Sequence, residues 1–142
     1  MSKVYETGWL NKLFIAIGIG GIIATFLMQD FSFLETWGLS DQQEFILRKV
    51  IRVLCNDLFM LIFIAAWFRD KRVTKLAIAI QVIDSLVLLP IYLTVKLYLE
   101  GTSEISIPLL SQFHRLIINP TLMIILIPAV YFQRISQNRA KS

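Results

Sequence analysis

Three stretches of the chain carry side chains able to do chemistry. Arg48, Arg52 and Asn56 recur at four-residue spacing and share one helix face, with Asp57 next to that face. Gln81 and Asp84 lie inside a second apolar run. His114, Arg115 and Asn119 open a third stretch, Phe113 to Gln133, which closes on the aromatic pair Tyr131-Phe132 and Gln133. Carboxyls, guanidiniums and an imidazole set in apolar sequence each need a partner or access to water, because hydrocarbon offers neither. They suit a ligand or proton site, or a hydrogen-bonded network that holds helices together.

Their depths can be counted along the helices that must carry them. Asp57 is about eleven residues in from Phe68, Asp84 about nine from Lys75, and Asn119 about thirteen from Phe132, so at 1.5 Å per residue they share a depth within roughly 6 Å. Arg52, His114 and Arg115 fall about two turns away, toward the opposite end of the helices. Two readings stand for Arg52, Asn56, Asp57, Asp84, His114, Arg115 and Asn119. They form a polar or partner-binding site open to one side, or a network in which Pro120 frees the carbonyl of Leu116 for a side-chain donor.

Catalysis has a poorer basis. Cys55, His114 and Arg115 are the residue types of a thiol catalyst, its base and an anion stabiliser. Helix rise puts Cys55 roughly 7 Å deeper than His114, out of reach of it. A lone cysteine excludes an internal disulfide and a cysteine-based zinc site, and a single histidine makes no transition-metal site. No Walker, Rossmann or His-Glu-x-x-His pattern is present. The sequence predicts no enzyme activity, metal or cofactor.

The elements that position these residues are membrane helices. Of 142 residues 56% are hydrophobic and 17% charged, and the charges cluster between apolar runs, the pattern of an integral membrane protein with short loops. The net charge of +4 has no basic face with interleaved aromatics, so nucleic acid is not an expected partner. The predicted architecture is all-α: one domain over 1–142, a bundle of four antiparallel transmembrane helices with spans near 9–28, 46–68, 75–98 and 109–132.

The first run, Trp9 to Met28, lacks a cleavage pattern and reads as a retained helix. Ala16, Gly20 and Ala24 recur at four-residue spacing on it. They make a packing stripe for another helix, or the glycines reflect the tolerance of membrane helices for that residue. Ser40 with Gln43 is a capping-box pattern that starts the second helix, and Pro108 suits the first turn of the fourth.

Lys3, Lys12, the turn Arg69 to Lys75 and the tail Arg134 to Lys141 fall on one side. The acidic stretches Gln29 to Glu44 and Glu100 to Ser106 fall on the other. The positive-inside rule then places both termini in the cytoplasm. Arg48 and Lys49 run against that rule and are read as snorkelling interfacial side chains.

Phe113-His114-Arg115-Leu116-Ile117-Ile118-Asn119-Pro120, continuing into Leu126-Ile127-Pro128-Ala129-Val130-Tyr131-Phe132-Gln133, resembles the closing signature of exosortase F system-associated membrane proteins. Arg52 to Asp57, Trp67-Phe68 before a basic turn, and Leu88-Leu89-Pro90-Ile91-Tyr92-Leu93 resemble the family's middle. The likeness covers roughly Arg52 to Gln133. His114 stands where a second basic residue can occur, and Val130-Tyr131 replaces a more aromatic pair.

The resemblance implies a multi-pass protein of the bacterial inner membrane, an accessory and not itself the protease. It implies binding to another membrane protein, either the exosortase-type sorting enzyme or its substrate. The alternative from a different class is a small transporter or channel subunit using Asp57 and Asp84. The charge pattern makes a direct prediction about topology: in intact cells an impermeant thiol reagent labels Ser103→Cys and spares Ser136→Cys. Labelling of Ser136→Cys reverses the orientation.

Overall fold

A computed structural model describes residues 2–28, 32–103 and 107–141. Gln29, Asp30, Phe31, Glu104 and Ser106 of the acidic stretches lie outside the described residues, as do the side chains of Lys3, Glu6, Phe33 and Lys141. The described residues are helical almost throughout, with no strand among them. They form α1 (Ser2–Leu27), a 3-10 turn (Ser32–Trp37), α2 (Asp41–Phe68), α3 (Lys71–Ile83), a π-helical turn (Asp84–Leu88), α4 (Leu89–Leu99), α5 (Pro108–Ile118) and α6 (Thr121–Lys141).

The helix ends follow local chemistry. Ser40 and Gln43 make the expected reciprocal cap of α2, with the Ser40 N–H donating to Gln43 Oε1 at 3.2 Å and the Gln43 N–H to Ser40 Oγ at 3.4 Å. At the other end Arg69 takes the left-handed conformation, φ 52°, and its N–H still reaches the Ala65 carbonyl at 3.2 Å. That reversal lets Asp70 cap α3 two residues after α2 ends. Pro108 stands in the first turn of α5.

Proline also bends the long elements. Pro90 has no N–H and its ring crowds the carbonyl a turn earlier, and the helix answers with the wide turn just before it, in which the Leu89 N–H donates to the Asp84 carbonyl. Lys71–Leu99 nevertheless continues as one element. Pro120 acts more severely. It confines Asn119 to extended backbone (φ −87°, ψ 149°), so α5 ends there and α6 starts again at Thr121. The two meet at 65°. In place of a continuous helix over 109–132 there is therefore a bent pair of helices.

Three helices, Gly8–Leu27, Asp41–Phe68 and Lys71–Leu99, are long and apolar enough to cross a membrane, and the bent pair makes a fourth if it counts as one span. Many large apolar side chains face outward along them, among them Trp9, Phe14, Phe26, Leu86 and Ile91. That is the surface expected where lipid replaces water.

Two apolar cores lie along the bundle. One joins Met60, Ile64 and Phe68 of α2 to Val73, Ala77, Met123, Leu126 and Val130. The other joins Val53 of α2 to Leu89, Tyr92, Leu93, Leu110, Ile117 and Ile118. Asn56 and Asp57 fall between the two cores on α2, Asp84 between them along α3 and α4, and Asn119 between them at the break. The common depth expected for these polar residues is thus a seam between two cores.

Ala16, Gly20 and Ala24 of the first helix are exposed, and the contact with α2 is made by other residues of α1. A Cβ on Gly20 has nothing within 4 Å, whereas one on Gly18 would lie 2.8 Å from Phe63 Cβ and 3.0 Å from the Phe59 carbonyl oxygen. The contact face runs through Asn11, Gly18, Gly21 and Thr25, because the bulk of Phe59 and Phe63 needs the bare backbone opposite them. The side amide of Asn11 donates to the Ala66 carbonyl at 2.6 Å and holds the other end of the pair. Gly18→Ala accordingly lowers the melting temperature in detergent, by the equivalent of about 1–3 kcal/mol of overpacking, while Gly20→Ala melts like wild type.

Candidate functional site

The seam between the cores is built from α2, the π turn and the α5–α6 break. Asn56 is buried, and its Nδ2 donates to the Ile118 carbonyl at 2.9 Å. Ile118 is the last residue of α5, so its carbonyl has lost its helical acceptor role to the break, and Asn56 takes the place of the missing donor. The side-chain donor expected at this proline is present. It acts on Ile118, not on Leu116, because the helix stops at Asn119 instead of passing through Pro120. Thr121 Oγ1 adds a contact to the Arg115 carbonyl at 3.3 Å across the same break.

One residue on, Asp57 points away from α5 and meets Asp84 and Ser85 of the π turn. Both carboxylates are almost wholly buried, Asp57 at 1% exposure and Asp84 at 3%. Neither forms an ion pair with a described residue. The 100° step from residue 56 to 57 turns Asp57 toward the π turn.

Arg52, His114 and Arg115 gather elsewhere, toward the Glu100 end of the bundle. Lys49, Arg52, Lys96 and Arg115 all lie close enough to act on the His114 ring electrostatically. His114 Nδ1 shares a 2.6 Å hydrogen bond with the Tyr92 hydroxyl, the two rings meeting edge to face at 5.6 Å. Lys96 is buried at 2% exposure and pairs with Glu100, one helical turn on. The other Glu100 oxygen accepts the Ile107 N–H at 2.5 Å, which ties the α4–α5 connection to the same ion pair. Arg48 bridges Glu35 (3.3 Å) and Glu44, and Lys49 lies over the Phe45 ring at 5.3 Å. Both basic residues that ran against the charge rule are thus held by neighbours at this end.

The opposite end gathers the basic turn and tail. Arg134 reaches Asp70 at 3.1 Å and lies over the Phe68 ring at 5.4 Å. The Arg72 backbone N–H, with the Arg134 guanidinium adding to it, holds the exposed Asp70 carboxyl below the usual carboxylate range. Ala65, Arg69, Asp70, Lys71, Thr74 and Lys75 line an open cleft of about 330 Å³ there.

The structure therefore divides the expected network. Asn56, Asp57, Asp84 and Asn119 mark the seam, and Arg52, His114 and Arg115 belong to a separate cationic group. Sequence reasoning missed Ser85, and missed Lys96 as a buried member of that group. Ser85 carries no signal beyond adjacency to Asp84. Lys96 had one, since Lys96 and Glu100 stand at four-residue spacing where an apolar helix ends. Cys55 is half-buried on α2 with a free thiol. Among the described residues no three His, Cys, Asp or Glu side chains converge as a metal site would require.

Comparison with family models, with characterised proteins and with solved structures finds no match to this chain. The seam can be tested without any relative. Asn56→Leu keeps the side-chain bulk but strands the Ile118 carbonyl in the bundle. It should lower stability in detergent by about 0.6–2 kcal/mol, the range for interhelical hydrogen bonds in membranes. Thermal unfolding followed by circular dichroism reads the loss, and wild-type melting of Asn56→Leu refutes the role given to Asn56.

Proposed function

We propose that this chain is an accessory membrane protein that docks on another membrane protein and performs no catalysis of its own. The observation behind the reading is the exposed Arg115, which stands with Lys49 and Arg52 around His114 at one end of the bundle. Cationic side chains gathered beside hydrocarbon attract an acidic segment far more strongly than the same charges in water. Arg115 is exposed and Lys49 half-buried, so part of the group can be reached from outside.

The docked segment is then an acidic stretch of a membrane partner. The resemblance to exosortase-associated proteins suggests an exosortase-type enzyme, or the exported substrate it processes, in the inner membrane of a bacterium. In this reading the helices alternate in direction and both termini are cytoplasmic. Supporting that orientation, Lys12, the Arg69 to Lys75 turn and Arg134 belong to one end, joined through Asn11 to Ala66 and Arg134 to Asp70. The cationic group then faces the outer side, where sorting signals are processed.

Charge reversal tests the docking. The protein is purified from native membranes in mild detergent beside Arg115→Glu, whose side chain is exposed and whose removal leaves the seam intact. Wild type retains one membrane partner that Arg115→Glu, at equal protein level, retains at least about tenfold less well. Equal retention by both proteins, or no partner with wild type, overturns the reading.

A further inference from the structure

The buried carboxyls of the seam take no part in that docking. Asp57 Oδ2, Asp84 Oδ1 and the Ser85 hydroxyl are each shut off from solvent without a hydrogen-bond partner. The groups facing the pair can be named element by element. From α2 there is Asp57 itself, and from the π turn Asp84 and Ser85. Among the described residues no lysine, arginine, histidine or tyrosine acts on either carboxyl. The nearest polar neighbour on α2, Asn56, is committed to the Ile118 carbonyl.

Two carboxylates set side by side in a low-dielectric interior, with no described cation acting on them, ionise together only at alkaline pH. Below that, something positive lies between them. A divalent metal is poorly served, since calcium takes six to eight oxygens and magnesium about six in a strict octahedron. Two carboxyls and one hydroxyl fall short of that, and no further His, Cys, Asp or Glu converges on them among the described residues. A proton needs only two oxygens. It turns one acid into a donor for its neighbour, and the Ser85 hydroxyl can donate to whichever oxygen remains charged.

The backbone singles out the same place. Asp84 opens the π turn, and its carbonyl accepts the Leu89 N–H five residues on. Such wide turns recur at functional sites because they aim a side chain that a regular helix would direct elsewhere. Here the turn brings Asp84 and Ser85, adjacent in sequence, both onto Asp57.

We propose that Asp57, Asp84 and Ser85 form an intramembrane proton-binding site, in which the two carboxyls hold one exchangeable proton between them. Binding joins a proton from the aqueous phase to a carboxylate oxygen. Release returns it and leaves both acids ionised, so no other reactant is required. The site is independent of the cationic group, which lies toward the Glu100 end of the bundle.

Infrared difference spectroscopy of the protein in lipid nanodiscs, stepped between acidic and alkaline buffer, reads the site directly. Wild type is expected to show one C=O stretch of a protonated carboxylic acid that is lost at alkaline pH and shifts in heavy water. In Asp57→Asn and in Asp84→Asn the remaining acid titrates at a midpoint moved by about one pH unit or more, the mark of two coupled acids. Ser85→Ala leaves both carboxyls in place and moves the band's frequency, and it carries the test should the Asn variants fail to fold. Three results overturn the proposal: no such band at any pH where circular dichroism is native, a remaining acid whose midpoint matches wild type, or displacement of the band by sodium ions at constant pH. The last would assign the seam to a metal cation instead.

Discussion

A backbone carbonyl surrounded by hydrocarbon has no water to turn to, and this structure is arranged around that constraint at one point. Pro120 removes a helical donor and forces Asn119 out of helical backbone, so α5 ends with the Ile118 carbonyl exposed to the interior. Asn56 supplies the donor from α2. The break is therefore tolerated because another helix carries the right amide at the right height. The 65° bend, the placement of α6 on the first core and the position of the polar seam all follow from that pairing.

The two ends of the bundle handle charge in different ways. At one, Lys96 is buried, and Glu100 neutralises it while also accepting the N–H of Ile107, just before α5. A single carboxylate thereby serves a charge and a backbone group. At the other end the charges stay exposed, and Arg134 clips the last helix to Asp70 and to the Phe68 ring. The buried arrangement fixes geometry strongly because each partner left alone would be costly. The exposed one is weak and screened by salt.

Much of this was legible in the sequence. The apolar runs, the Ser40 cap, the Pro108 start and the common depth of Asp57, Asp84 and Asn119 depend on spacing, and spacing is what a sequence contains. The break at Pro120 was harder to place. Proline in a membrane helix either kinks it or ends it, and which occurs depends on whether a neighbour such as Asn56 can satisfy the freed carbonyl. The packing face of α1 was hard to place for a related reason. Gly18, Gly20 and Gly21 are the same residue, and only the facing Phe59 and Phe63 decide which of them is required. The partner of Asp57 turned on the π turn, since one extra residue in a helical turn rotates everything after it by about 100°. No periodicity announces that rotation.

The two apolar cores, one on each side of the seam, have a consequence for how the molecule comes apart. Cooperative unfolding spreads through continuous packing, and here the packing is interrupted across the width of the bundle by Asn56, Asp57, Asp84 and the α5–α6 break. Such an interruption favours opening of the core that holds the short α5 separately from the core clasped by α6, with α2 common to both. A membrane protein of this size would otherwise be expected to behave as a single block. Its seam gives it an internal joint, with a titratable pair set at the joint itself.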